Sequence, residues 1–374
     1  MKISILLPYK ENFSPNYAGA VSLFVSQTVK HSNFKKDITI YGNTHYNKKL
    51  LKNYINLDLK KGILQSNSRS YVDEFIKSEL NKKSDIIEVH NRPNYIKQII
   101  NESNSKVTLY FHNDPLNMNG SMTTKQRIYL LDNLDAIIFN SHWSRKRFFI
   151  GLKKSTREIN LKTFIIHQSS SSVKINFKKK ENIISFVGKL NSAKGYDLFG
   201  DAIVQILDKH KDWKAVVFGD EHRQKLKFTH QNMKIFGFRK HTEILKYLEK
   251  VSISIICSRW EEPFGRTSLE AASRGCAIIM SNKGGLPETT NHSIILKKLS
   301  SNEISNQVNF LINNRTERLL LQKKTYKSFK YTHEFIANKI DNIRKVFKEN
   351  ISRFIPLKNN KNLKILHVTN FNER

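Results

Sequence analysis

Acidic residues are scarce in this 374-residue chain: 32 Asp and Glu stand against 64 Lys and Arg, a formal net charge of +32. So large an excess admits anionic partners such as nucleotide phosphates, anionic lipid or nucleic acid. It equally fits a coding bias, because Lys, Asn and Ile are all abundant and the basic residues are scattered, not gathered in a tail. Cysteine is nearly absent. Cys257 and Cys276 both lie in apolar, strand-like runs and read as buried, reduced thiols of a cytosolic protein. Long apolar runs are missing too. "VSISIIC" falls far short of the roughly 20 residues that span a bilayer, and the apolar part of "MKISILLPYKE" is too short for a secretion signal. These features predict a soluble or at most surface-bound chain. There is no Asp-x-Asp triplet with an apolar lead-in and no clustered Cys/His spacing, so no metal site is expected. "GKLNSAKG" lacks the order of a phosphate-binding P-loop.

What is present is a rhythm. The length predicts two domains. Short continuous apolar runs occur at Ile3–Leu7, Ile38–Tyr41, Ile86–Val89, Val107–Phe111 and Ile137–Phe139, then at Ile183–Val187, Ala215–Phe218, Ile253–Cys257 and Ala277–Met280. Continuous runs fit strands covered on both faces. Amphipathic stretches such as Asp197–His210 and Thr242–Lys250 lie between them. Strand–helix alternation predicts parallel, doubly wound sheets, and it occurs twice. "HQSSSSVKINFKKKEN", residues 167–182, has no helical period and reads as the linker. A long helical pattern covers Glu334–Asn350. "NLKILHVTNFNER" then resembles the first strand of a further such domain, either packed as an extra strand or cut from a longer protein.

The chemistry concentrates in "RWEEPFGRTSLEAASRGCAIIMS", residues 259–281. "EEPFG" is loop-like, a helix is expected over Arg266–Arg274, and Gly275 is its stop. Unpaired N–H groups at such a helix start bind anions or hydroxyls. Glu262 stands just before that terminus and Glu270 one turn inside it. Eight helical steps cover about 12 Å, comparable to the distance from sugar to ribose in a nucleotide sugar. Each carboxylate can accept hydrogen bonds from a pair of hydroxyls. The plain alternative is a capping Glu262 and a salt-bridged Glu270.

E-P-F-G-x-x-x-L-E-A, followed by Gly275, an apolar strand and "GGLPE" (Gly284–Glu288), resembles the retaining family 4 glycosyltransferases of the GT-B fold, over about residues 1–350. "FVGKLNSAKGYDLF" (Phe186–Phe199) resembles that family's phosphate site, with Lys189 where Arg is usual and Lys194 keeping the K-G. The change loses a bidentate fork but not the charge. The resemblance implies an α/β protein of two Rossmann-like, doubly wound parallel-sheet domains facing across a cleft. Residues 1–168 would bind the acceptor and 169–333 the nucleotide sugar; 334–351 would form a helix crossing back, and 352–374 a tail. It further implies a hexosyltransferase in cell-surface polysaccharide or glycolipid synthesis. Its partners would be a nucleotide-sugar donor and a glycan or lipid-linked acceptor, with no nucleic acid, metal or other cofactor, in the cytoplasm or peripherally at the inner membrane face. A sugar-nucleotide epimerase and a basic nucleic-acid binder are the alternatives.

By the same resemblance, Lys189, Lys194, Glu262 and His112 carry catalysis. His112 ends a strand in "HNDP", where the family places a histidine near the sugar's reacting carbon. Gly188, Lys189, Lys194, Glu262, Pro263, Phe264, Gly265, Arg266 and Glu270 would hold the donor. Gly19 in "NYAGAVSLF" would let backbone approach a phosphate, and Phe238 or Arg239 in "FGFRKHTE" would stack on the base. His90 and Arg92 in "VHNRP", at a carboxyl strand end where open α/β sheets bind ligands, are expected to meet the acceptor. "SHWSRKRFFIGLKK" (Ser141–Lys154) mixes basic and aromatic residues, as would a helix on an anionic membrane, or simply a solvated charged face.

Overall fold

The computed structural model describes residues 1–59, 66–153 and 161–353, the last four as backbone only. Most of the expected tail, and Lys154 at the end of the basic aromatic stretch, lie outside the described residues. Two parallel sheets organise the rest. The first contains β1 (Ile3–Leu6), β2 (Ile38–Gly42), β3 (Tyr54–Asn56), β4 (Ile86–His90), β5 (Lys106–Phe111), β6 (Ala136–Phe139) and β7 (Thr163–Ile165), in the order β3-β2-β1-β4-β5-β6-β7. The second contains β8 (Glu181–Val187), β9 (Lys214–Phe218), β10 (Met233–Ile235), β11 (Val251–Ile256), β12 (Ala277–Met280) and β13 (Ile294–Ile295), in the order β10-β9-β8-β11-β12-β13. Each sheet grows one way from its first strand and then the other, so a crevice opens between β1 and β4 and between β8 and β11. Open α/β sheets bind ligands at such switch points.

The helices are α1 (Ala20–His31), α2 (Asn67–Lys82), α3 (Ile96–Glu102), α4 (Thr124–Asn133), α5 (His142–Phe149), α6 (Tyr196–Lys209), α7 (His241–Leu248), α8 (Arg266–Ser273), α9 (Ser301–Asn313), α10 (Arg315–Lys327) and α11 (His333–Arg353). The apolar strand runs are explained by cover on both faces. On the first sheet, Leu6, Val89, Leu109 and Phe139 pack against α2 to α5 through Tyr71, Phe75, Ile96, Leu130 and Phe148. Ile3, Ile5, Ile40 and Ile138 pack on the opposite side against Phe24 and Val25 of α1 and Ile336, Ile340 and Ile343 of α11. The last three recur every three or four residues and so share one helix face. The second sheet is covered by α6 and α9 on one side and by α7 and α8 on the other.

The Ser-rich stretch joins β7 to β8, and its first residues run inside the protein while most of the rest stay at the surface. Gln168, Ser169 and Ser170 are buried. Ser170 N–H donates to the Tyr331 carbonyl at 3.0 Å, its hydroxyl meets that of Ser273 at 3.1 Å, and the Arg274 guanidinium donates to Ser171. A Ser-rich segment can run inside because its hydroxyls and backbone find partners there.

Residues of α11 reach the first sheet through a buried polar knot. Arg344 donates to both oxygens of Glu88 on β4, at 2.7 and 2.8 Å, and to Asp341 at 3.0 Å. Asp341 in turn accepts from the Ser32 hydroxyl and the Asn33 N–H, both at 2.7 Å, at the end of α1. Breaking a buried pair strands the remaining charge and costs about 3–5 kcal/mol. Arg344→Met should therefore lower unfolding free energy by about that amount in a urea titration. The double variant with Glu88→Met should recover part of the loss, since the Glu88 charge is then gone and Asp341 keeps its hydrogen bonds from Ser32 and Asn33.

Candidate active site

A cavity of about 400 Å³ lies between the carboxyl ends of the two sheets. Its second-sheet wall is built first by the loop after β8. Asn191 accepts from the Lys194 N–H at 3.0 Å and turns the chain. Gly195 follows with φ +74, and a Cβ there would fall 2.0 Å from the Cys257 carbonyl oxygen, so α6 can begin this close to β11 only with glycine. The loop delivers Gly188 and Lys194 to the wall, where the Lys194 ammonium pairs with the Glu262 carboxylate. Pro263, Phe264, Gly265 and Arg266 continue the wall into α8, whose N-terminus has no side-chain cap. Its first N–H groups and the Lys194 ammonium make this wall suited to a doubly charged anion.

Glu270 sits behind the wall. It is buried, 2.6 Å from Arg266 and 2.7 Å from His241. Burial alone would push its carboxyl up, but Arg266 and His241 outweigh that and hold it below its ordinary value. The salt-bridged alternative thus describes the surroundings of Glu270. The Arg266 guanidinium keeps further buried nitrogens without hydrogen-bond partners.

The opposite wall comes from the carboxyl ends of the first sheet. Asn91, His112 and Asn140 follow β4, β5 and β6, and Gln168 follows β7. They frame one another: Asn91 accepts from the His112 N–H at 3.1 Å, and Asn140 donates to the His112 carbonyl at 3.0 Å. Glu11, in the loop after β1, completes the wall and accepts from the Ser22 N–H at 3.0 Å in the first turn of α1.

Several sequence expectations need correction. Lys189 is exposed and stands off the cavity wall, although its neighbour Gly188 lines it. Gly19 does not line it either, because the Glu11 carboxylate occupies the start of α1: a Cβ on Gly19 would lie 2.2 Å from it. His90 is fully covered, behind His112, because the whole of β4 is buried. Arg92 turns back to the Asn91 carbonyl at 2.8 Å. Phe238 is half-exposed and stacks on Tyr17 from the first half, with ring centres 5.1 Å apart, while Arg239 lies over Phe236. In the basic aromatic stretch, Phe148 of α5 points into the core and Arg147 pairs with Asp114 at 2.9 Å. Among the described residues no helix is long and apolar enough to cross a membrane. Sequence reading missed Glu11, Asn91, Asn140 and Gln168. For Asn91 and Asn140 the signal was available, since both directly follow a strand at its carboxyl end.

Residues 168–328 match the family model for glycosyl transferases group 1. Residues 168–328 are a group 1 glycosyltransferase domain. "Putative glycosyltransferase YtcC" of Bacillus subtilis (strain 168) is 25% identical over 255 residues, 60% of this chain and 62% of its own length. Spore coat protein SA of the same strain is 22% identical over 67% of this chain and 75% of its own length. Among solved structures, Anabaena HepE in complex with UDP-glucose superposes with a TM-score of 0.72 at 15% identity, covering 92% of this chain and 100% of that one. WaaG, a glycosyltransferase involved in lipopolysaccharide biosynthesis, gives 0.64 at 11% identity, covering 91% and 99%. The two-sheet arrangement is the GT-B fold.

The glycosyltransferase domain holds the first half through Glu288, the acid of "GGLPE". Glu288 accepts from the N–H groups of His142 and Trp143 at 2.7 and 2.8 Å, capping α5 across the junction. His167 stands 3.5 Å away, and His142, His167 and Glu288 offer ligand atoms within 4.8 Å of one another. Both carboxylate oxygens already serve α5, so the cluster acts as a junction. Burial alone would push the Glu288 carboxyl up, but His167 and the α5 N–H groups hold it below its ordinary value. A depressed carboxyl contributes stability above its unfolded value of roughly 4.3 and loses it as pH falls through the lower folded value. Glu288→Ala should therefore open the cleft at neutral pH, raising the radius of gyration in small-angle scattering. The parent protein should stay compact until acid protonates Glu288.

Proposed function

We propose that the protein is a retaining glycosyltransferase that moves a sugar from a nucleoside diphosphate donor to a glycan or lipid-linked acceptor. One observation carries the reading: Lys194, Glu262 and the uncapped start of α8 meet on one wall of the cleft, with His112 on the other. A diphosphate arriving there takes the Lys194 ammonium and the α8 N–H groups. Glu262, released from Lys194, turns to accept from sugar hydroxyls. Glu270, held ionised by Arg266 and His241, accepts from the ribose. Stabilising charge on the departing diphosphate is the main catalytic effect, and an acceptor attacking from the face the diphosphate leaves needs no protein nucleophile. Residues of the first half, led by His112, meet the reacting sugar and the acceptor. The UDP-glucose in HepE makes UDP-sugars the first donors to screen, and a role in cell-surface polysaccharide or glycolipid synthesis follows the WaaG likeness. The same reading sets the enzyme in the cytoplasm, meeting its acceptor at the inner face of the membrane.

The test separates the two walls. Lys194→Ala should weaken nucleoside diphosphate binding in calorimetry and lower kcat together. His112→Ala should lower kcat about a hundredfold, the cost of misplacing reacting groups, while nucleotide affinity stays near that of the parent. Equal loss of nucleotide affinity in both variants would remove His112 from the sugar end. Product analysis identifies the reaction, because an epimerised donor without transfer would mark the other chemistry.

Two further outcomes follow. Glu270→Gln should weaken nucleotide binding by about 1.5–3 kcal/mol, the worth of a hydrogen bond to a charged acceptor. Turnover should persist in EDTA, because Lys194 and the start of α8 carry the charge-stabilising role. Loss on chelation with recovery on adding Mn²⁺ would contradict that.

A further inference from the structure

The two histidines of the first sheet form a pair that catalysis by His112 alone does not require. His90 Nδ1 lies 2.9 Å from His112 Nε2, and the Gln168 side-chain nitrogen lies 2.9 Å from His112 Nδ1. With the Gln168 amide placed so, its nitrogen donates to His112 Nδ1, and that arrangement puts the single ring proton on Nε2, aimed at His90. Both ring nitrogens of His112 are therefore spoken for before any ligand arrives. His90 is itself clamped. It stacks on Tyr110 with ring centres 4.3 Å apart and on His112 at 5.2 Å, and its Nε2 is buried without a hydrogen-bond partner.

We infer that His90 is a positioning residue that, with Gln168, fixes His112 in one neutral tautomer facing the cleft. The inference rests on the reading of His112 as the residue at the reacting sugar. Its physical sense is electrostatic. A sugar losing its diphosphate develops positive charge at the reacting carbon, and an imidazolium on the facing wall would oppose it. A ring whose acceptor nitrogen is occupied and whose surroundings are dry stays neutral. Burial pushes His112 down to about 3 and His90 well below its ordinary value. The charged groups around the pair do not reverse this. Behind it, Arg344 is matched by Glu88 and Asp341, and Arg344 itself disfavours charge on His90. Tyr110 is pushed further from ionisation by burial and Glu88. Phe24 of α1 is apolar. Across the cleft Lys194 and Arg266 stand with Glu262 and Glu270, and on the near wall Glu11 serves the α1 N–H groups.

The experiment is long-range ¹H–¹⁵N NMR of the ¹⁵N-histidine-labelled full chain, beside pH–rate profiles. In the parent, His112 should carry its proton on Nε2 and stay neutral from about pH 8 to about pH 5.5, a range an ordinary histidine crosses. His90→Phe keeps a ring but removes the acceptor. In it, His112 should mix tautomers and titrate, and kcat should fall about tenfold per pH unit below the new value. His90→Asn, which returns an acceptor near the Nδ1 position, should restore the tautomer and flatten the profile. A parent His112 protonated on Nδ1, or one that titrates as an ordinary histidine, overturns the inference even if the variants do not fold. An unchanged His112 signal in His90→Phe does so as well. The NMR readout needs no turnover, so the inference and the glycosyltransferase reading can fail separately.

Discussion

The charge pair between Arg344 and Glu88 holds the arrangement together. Both side chains are almost fully buried, and two ions so placed are tolerable only because each completes the other's hydrogen bonds. The fork of Arg344 meets both carboxylate oxygens, which a lysine could not do. The helix that carries Arg344 begins beside the Ser-rich crossing, where the Ser170 N–H meets the Tyr331 carbonyl. The pair therefore fixes more than a local contact: it seats α11 on the first sheet and sets where the second sheet stands relative to it.

Within that frame the cleft is polar and preassembled, and its charges are partnered while it waits. Lys194 leans on Glu262, Arg266 and His241 on Glu270, and Glu288 on α5. Such pairing lowers the penalty of holding cations in a half-buried wall. It also means that an arriving anion exchanges partners and does not meet bare charge, so affinity is a difference between two sets of contacts.

The fold was largely legible in the sequence, and the reason is burial. Strands covered on both faces keep an unbroken apolar run, and β12 was bounded as observed, at Ala277–Met280. The short edge strands β3, β7, β10 and β13 were not seen. They hold two or three residues each and are partly exposed, so no run marks them. The site was legible where the backbone decides the outcome. Lys194, Glu262 and His112 converge because each sits at a carboxyl strand end or helix start. It was illegible where side-chain direction decides. Lys189 adjoins Gly188 yet points to solvent, and His90 ends a strand as His112 does yet faces the interior. Gln168 was hidden in a stretch whose composition reads as linker, because serine content alone does not tell whether hydroxyls meet water or protein.

Gly19 has a consequence of another kind. Its φ of −73° is open to any residue, so the backbone makes no demand for glycine there. The only objection to a methyl group comes from the tip of a flexible side chain, that of Glu11. What glycine at position 19 makes room for is therefore the Glu11 carboxylate itself, which reaches the Ser22 N–H and gives the start of α1 an anion from within the chain. The start of α8 has no such side-chain cap, and in that respect the two helix ends at the cleft differ.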